Sequence, residues 1–260
     1  MIRNEKYTFE GVDLEGDPRF IRQQDILPLD ILSKLEVAVV GVGAGGRPCA
    51  ITLGSMGINK LTLIDFDVID EHNCSLQGYS MKDLGKYKVN ACRQSVIDVL
   101  GDKHWEDGYL DMDDSKDWSS LRLGIHTPHI IVCGVDSMEI RRDLWDWVVQ
   151  ECPSCMLYVD GRMSAETIRI LTVPMHRDKY RDYYETTLFK DEDAFQDRCT
   201  AVGAMHSASI VGNAMILQAT KWIRGRGLPM CTDIVVNLLS WDVIRLGPVH
   251  NCDPIEVPDR

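Results

Sequence analysis

The strongest constraint on this chain is a glycine loop, Gly41-Val42-Gly43-Ala44-Gly45-Gly46, set between an apolar tetrapeptide and a helical pattern. Val37-Ala38-Val39-Val40 is short and apolar throughout, which reads as a buried strand. Arg47 to Met56 reads as a helix, closed by Gly57 at its C-terminal cap. The loop fits G-x-G-x-x-G. Its first glycine permits a tight turn, and its second lets a phosphate approach the backbone. The third lets helix pack on strand, and the helix N-terminus adds partial positive charge. Leu61-Thr62-Leu63-Ile64 reads as the next buried strand and ends in Asp65, where an acid holds a ribose hydroxyl. Strand, turn, helix and strand with a short return predict a parallel, right-handed pair. Taken alone, the loop suits any dinucleotide-binding oxidoreductase, and a ligand-free packing turn also accounts for it.

The alternation continues along the chain. Ile26 to Leu35 reads as a short helix ahead of the first strand, and Lys86 to Leu100 as a later one. Ile130-Ile131-Val132-Cys133 is a third buried strand, followed by a helix from Ser137 to Val149 with an aromatic face at Trp145 and Trp147. Leu157 to Asp160 and Thr167 to Val173 read as strands, and Met175 to Cys199 as a polar, tyrosine-rich crossing loop with some helix. A helix from Ala204 to Arg224 and a strand from Ile234 to Leu239 complete the series. This order predicts an α/β, Rossmann-like, mostly parallel sheet flanked by helices. No repeat or low-complexity linker divides the 260 residues, so a single domain over 1–260 is expected.

Bulk properties exclude several functions. A net charge of −12 argues against a nucleic-acid partner, because phosphate binding relies on a basic surface that releases counterions. It is compatible with a protein partner that presents a basic face. No apolar run approaches the roughly 18 residues needed to span a bilayer, and the N-terminus does not resemble a signal peptide, so a cytoplasmic protein without a membrane partner is expected. The nine scattered cysteines read as mostly reduced, buried thiols. Cys152 and Cys155 form the one C-x-x-C pair, and Cys231 and Cys252 are too far apart for a second, so no structural zinc is expected.

The residues beyond the second strand discriminate between nucleotides. Asp65-Phe66-Asp67-Val68, Asn73, Gln77 and Gly85-Lys86-Tyr87-Lys88-Val89 are a run of acids, amides and bases. A dehydrogenase needs a ribose acid there and little more. A carboxylate attacking the α-phosphate of ATP brings anion to anion, which calls for cations and amide donors. Lys88 and Asn73 suit that task, and a further acid is needed to hold Mg2+.

With these motifs in place, the chain resembles the ThiF, MoeB and ubiquitin-activating enzyme superfamily. Arg19-Phe20-Ile21-Arg22-Gln23 is similar to the R-Y-x-R-Q opening of that family. The glycine loop, the D-x-D-x-V turn, Asn73 to Gln77, the G-K-x-K-V stretch and Asp136 follow in the family's order. The resemblance implies a ThiF-type fold with a mixed C-terminal sheet extension, a nucleotide-binding half at about 19–150 and a partner-binding, crossing-loop half at about 151–260. It implies ATP with Mg2+, and adenylation of the C-terminal glycine carboxylate of a ubiquitin-like or sulfur-carrier protein by a homodimer. A conjugating enzyme is a further candidate partner.

Carried across by position, the resemblance places Gly41, Gly43 and Gly46 under the phosphates and Asp65 and Asp67 at the nucleotide. Asn73, Gln77 and Lys88 would contact the triphosphate, and Asp136 would be the Mg2+-linked acid. Arg22 matches an arginine donated to the partner subunit's ATP, although a surface contact accounts for it without the resemblance. Leu76 stands where the family carries an arginine, and Arg47 is the nearest cation to replace it. Asn73 to Tyr79 and Asp160-Gly161-Arg162-Met163 resemble a plasmid- and phage-associated branch. Cys199 follows Arg198 just before a helix, where a cation and a helix N-terminus lower a thiol pKa, and its place resembles the family's thioester cysteine. A buried, inert thiol is the alternative. So are adenylation without a thioester, activation of a small acid, and a non-catalytic half of a heterodimer.

Overall fold

Short apolar strands alternating with helices build one eight-stranded sheet in the computed structural model, which describes residues 17–106, 108–114, 128–189, 203–225, 227 and 229–252. The strands are β1 (Glu36–Val40), β2 (Lys60–Ile64), β3 (Tyr109–Asp113), β4 (Ile130–Cys133), β5 (Leu157–Ser164), β6 (Thr167–Pro174), β7 (Pro229–Asn237) and β8 (Asp242–Asn251). Their order is β3-β2-β1-β4-β5-β6-β7-β8. The first five in that order run parallel, and β6, β7 and β8 extend the sheet antiparallel. The α/β class and the mixed C-terminal extension therefore match the expectation from sequence.

Helices cover both faces, which is why the inner strands carry no alternation of apolar and polar residues. Val37, Val39, Leu61, Leu63, Ile130 and Val132 point to one core, with α2 (Gly46–Met56), α4 (Lys88–Leu100) and α7 (Met205–Arg224). Ala38, Val40, Ile131, Cys133, Tyr158 and Leu171 point to the other, under α5 (Met138–Glu151) and α6 (Asp178–Glu185). The second core has an aromatic centre. Trp145 lies 5.2 Å from Tyr158 and 4.4 Å from Tyr184, ring centroid to ring centroid.

Several local expectations shift. The helix expected from Ile26 to Leu35 is only α1 (Leu29–Leu32), because Pro28 interrupts the pattern at its N-cap. Trp145 and Trp147 both meet the second core, Trp145 fully buried in it and Trp147 half-buried against it. Ser137 is the N-cap of α5, its Oγ accepting from the Ile140 amide at 3.3 Å. Gly57 ends α2 at φ 106°, the left-handed conformation expected of it.

Three elements were not anticipated from sequence. The α3 helix (Glu71–Gln77) is seven residues long and nearly all polar, and a capping box between Asp70 and Asn73 starts it. β3 and β8 lie at the two edges of the sheet. β8 is largely exposed and β3 has a single buried residue, Leu110, so both lack the apolar run that marks a buried strand.

Candidate functional site

The strand order reverses around β1, which has β2 on one side and β4 on the other. In open α/β sheets a crevice forms at such a point, outside the carboxyl ends of the strands. Two turns meet there. The loop after β1 begins at Gly41, at φ 81°, and a Cβ at this position would lie 2.9 Å from the backbone of Gly134 and Val135 in the turn after β4. Only glycine tolerates that approach. A Cβ on Gly46 would fall inside the carbonyl oxygen of Gly41, so α2 starts hard against its own loop. Gly43 differs: a Cβ there would meet only the side chain of Gln77, at 3.6 Å. The backbone is therefore open to a ligand at Gly43.

Asp65 closes β2 and braces this loop. Its Oδ2 accepts from the Val42 amide at 2.9 Å and its Oδ1 from the Asp67 amide at 2.9 Å. Burial pushes its carboxyl above the ordinary value, opposed by the charge of Lys88. Lys88 comes beside the acids although it is 21 residues from Asp67, because the chain pairs back antiparallel at Val68 and Tyr87. Lys88 Nζ lies 2.8 Å from Asp67 Oδ2, with its side chain 8% exposed against 52% for Asp67. Tyr79, which sequence reasoning missed, ties the two segments together: its hydroxyl donates to Val42 O at 2.6 Å and Lys88 O at 3.3 Å. Burial pushes that hydroxyl far above its ordinary pKa, so it stays a donor.

The α3 helix places Asn73 and Gln77 four residues apart, hence on one face. Asn73 Oδ1 is committed to the Asp70 amide at 2.9 Å, which leaves its Nδ2 as the donor. Gln77 Oε1 is buried without a hydrogen-bond partner among the described residues, as is Arg47 Nε. Both residues line a cleft of about 250 Å³ between α2, α3 and α7. Leu76 lines the same cleft as Arg47. Arg47 is itself held, with its guanidinium 5.1 Å from the centre of the Tyr79 ring and its Nη2 donating to Ser95 Oγ at 3.1 Å.

Asp136 is exposed in the turn between β4 and α5, immediately after the Gly134 and Val135 backbone that packs on Gly41. Gly41, Gly43, Gly46, Arg47, Asp65, Asp67, Asn73, Gln77, Lys88 and Asp136 thus belong to the carboxyl edge of the sheet and the segments packed against it. Arg22 does not join them. It is exposed, and its neighbour Gln23 donates to Ser55 O at 2.9 Å, near the last turn of α2. That point is roughly 14 Å along the helix from the glycine loop, at 1.5 Å per residue. Cys199 lies outside the described residues. Cys49, Cys92, Cys133, Cys152 and Cys155 are buried, and burial raises each thiol above its ordinary pKa, so these five are held as thiols. Among the described residues no three His, Cys, Asp or Glu side chains converge as a metal cage. No described helix is long and apolar enough to cross a membrane.

A helix N-terminus, open backbone at Gly43, a buried lysine and two amide side chains at one edge are groups whose chemistry suits a polyanion. The profile of the ThiF family matches residues 18–255. The chain belongs to the ThiF family. Among ThiF-family relatives, the molybdopterin-synthase adenylyltransferase of Escherichia coli (strain K12) is 23% identical over 242 residues, covering 91% of this chain and 87% of that protein. A probable adenylyltransferase/sulfurtransferase, MoeZ of Mycobacterium tuberculosis, is 32% identical over 69 residues. That match takes in 26% of this chain and only 18% of MoeZ. The fold is similar to that of E. coli MccB crystallised with ATP, at a TM-score of 0.62 and 16% identity, covering 87% of this chain and 67% of that one.

Proposed function

We propose that this ThiF-family protein uses ATP and Mg2+ to adenylate the C-terminal glycine carboxylate of a ubiquitin-like or sulfur-carrier protein. The observation that carries the reading is the backbone contact between the Gly41 loop and the turn bearing Asp136, with Lys88 and the amides of α3 on the same edge. The unpartnered N–H donor at Arg47 Nε and the open approach over Gly43 fit a triphosphate. Lys88 and Arg47 supply cations, Asn73 and Gln77 supply amide donors, and the N-terminus of α2 supplies oriented N–H groups. Asp65 is the ribose acid. Asp136 would hold Mg2+, which neutralises phosphate charge; a Mg2+ ion bound through one or two carboxylates and the phosphates needs no protein cage.

The carboxylate oxygen forms a bond to the α-phosphorus as the bond to pyrophosphate breaks. Lys88 and the loop offset the accumulating negative charge, and the acyl group then carries AMP as a leaving group. In the finer form of the proposal the Cys199 thiolate attacks that acyl carbon and releases AMP, leaving a thioester. Arg22 would act across a homodimer on the partner subunit's nucleotide, in keeping with its distance from the glycine loop of its own chain.

ATP–pyrophosphate exchange with small proteins ending in Gly-Gly as candidate substrates is the test. Asp136→Ala is expected to lower the exchange by about 10²- to 10³-fold at an unchanged unfolding midpoint, and full retention of exchange sinks the proposal. A thiol-labile adduct with the substrate that persists in Cys199→Ser removes the thioester step alone. Arg47→Ala is expected to cost about tenfold or more in the same assay, because it strips the cleft beside Leu76 of its cation. Unchanged exchange in that variant refutes the replacement role of Arg47. Binding of a nicotinamide dinucleotide in preference to ATP would point instead to an oxidoreductase.

A further inference from the structure

A fully buried carboxylate sits one strand away from the Asp136 turn. Asp160 ends the parallel part of β5, paired in register with Cys133, the last residue of β4. Its Oδ1 accepts from Arg141 Nε at 2.9 Å, and its Oδ2 accepts from Arg162 Nε at 2.8 Å and from the Tyr184 hydroxyl at 3.0 Å. Burial raises the carboxyl of Asp160, but the two guanidiniums outweigh it and hold the group below its ordinary value, so it is ionised. Two guanidiniums on one carboxylate leave a surplus cation in the interior, and a buried ion pair is weak as a source of net stability. Such a cluster calls for another role.

The second arm of Arg141 supplies one. Its Nη2 donates to the carbonyl of Val135, the residue before Asp136. Val135 and Gly134 are the backbone against which Gly41 packs. The planar guanidinium therefore spans from the end of β5 to the turn after β4, and sets the direction in which the Asp136 backbone leaves that turn.

We propose that Asp160 is a positioning residue for Asp136, acting through the fork of Arg141. A guanidinium serves both contacts at once, where a lysine ammonium in its place, being compact and shorter in reach, keeps the charge opposite Asp160 and loses the bridge to Val135. The inference rests on the assignment of Asp136 as the Mg2+-linked acid.

The test uses the full chain, with ATP affinity measured by calorimetry in Mg2+ and in EDTA. Asp136→Ala is expected to abolish the gain in affinity that Mg2+ confers. Arg141→Lys is expected to reduce that gain by about 10- to 100-fold, the usual consequence of losing a residue that orients a metal ligand, with little change in EDTA. The double variant is expected to fall no further than Asp136→Ala, since the two act as one unit. Asp233→Asn serves as the control. It discharges the neighbouring buried pair, Asp233 with Arg169 at 2.6 Å and Tyr183 at 2.9 Å, whose hydrogen bonds join β7, β6 and α6. That variant is expected to lower the unfolding midpoint and keep the Mg2+ gain.

Retention of the gain in Arg141→Lys while Asp136→Ala loses it overturns the inference and leaves the role of Asp136 standing. Retention in Asp136→Ala removes both. An equal loss in Asp233→Asn reduces the cluster to a structural one, which also overturns the inference. Should Arg141→Lys fail to fold, Asp160→Asn, which retains an acceptor oxygen for Arg141, is read by the same two titrations.

Discussion

Gly46→Ala is expected to destabilise the chain by about 3 kcal/mol or more, at the upper end of overpacking costs, and to lower its thermal midpoint by roughly 6 to 12 °C. The added Cβ falls inside the carbonyl oxygen of Gly41, and neither partner is a side chain that can swing aside. Relief requires α2 to withdraw from β1, which separates the Gly41 loop from the Gly134 turn. Nucleotide binding should go with it. Gly43→Ala provides the contrast: its Cβ meets only the end of a flexible glutamine at 3.6 Å, so the midpoint should hold while ATP affinity falls. Thermal melts and ATP titrations on the two variants check the pair. A Gly46→Ala protein with native stability would show that α2 does not bear on its loop as described.

Lys88→Met is expected to weaken ATP binding by about 10- to 100-fold, as for loss of a charge-assisted hydrogen bond of roughly 1.5 to 3 kcal/mol. Adenosine affinity should change little. Methionine fills the channel of the lysine stem, while Asp67 remains half exposed and solvated, so the fold tolerates the loss of the pair. The split between triphosphate and nucleoside is the informative readout. Equal losses for ATP and adenosine would make Lys88 a strut for Asp65 and Asp67. Undiminished ATP binding and turnover would end the adenylation proposal, which needs a cation among those acids and phosphates.

The parts of the fold that could be read from sequence were those buried on both sides. Val37–Val40, Leu61–Ile64 and Ile130–Cys133 are continuous apolar runs because helices cover both faces, and burial leaves few residue types that fit. Edge strands have no such constraint. β3 carries an exposed Asp111 and a half-buried Asp113, and β8 exposes Val243, Ile244 and Val249, so neither has the signature of a core strand. The polar α3 was missed for a similar reason: its start depends on the capping box of Asp70 and Asn73, and no apolar stripe marks it.

Within the candidate site, residues belonging to a local motif could be named in advance. The glycines, Asp65, Asp67 and Lys88 lie in short runs whose chemistry is recognisable from residue type and spacing, and the order of those runs matches the ThiF family. No such role could be assigned to Tyr79, Arg141 or Asp160, because their roles come from contacts between segments distant in the chain. Tyr79 reaches Val42 across 37 positions, and Arg141 joins Asp160 to Val135 only because β4 and β5 are neighbours in the sheet. From its sequence alone the chain was committed to an α/β fold with a glycine turn at the end of its first strand, since a glycine loop between a buried strand and a helix belongs to that class. Tertiary structure alone decided how the acid turn is held, where Arg47 points and that Arg22 stands apart, because distances between side chains arise only when strand order brings remote segments together.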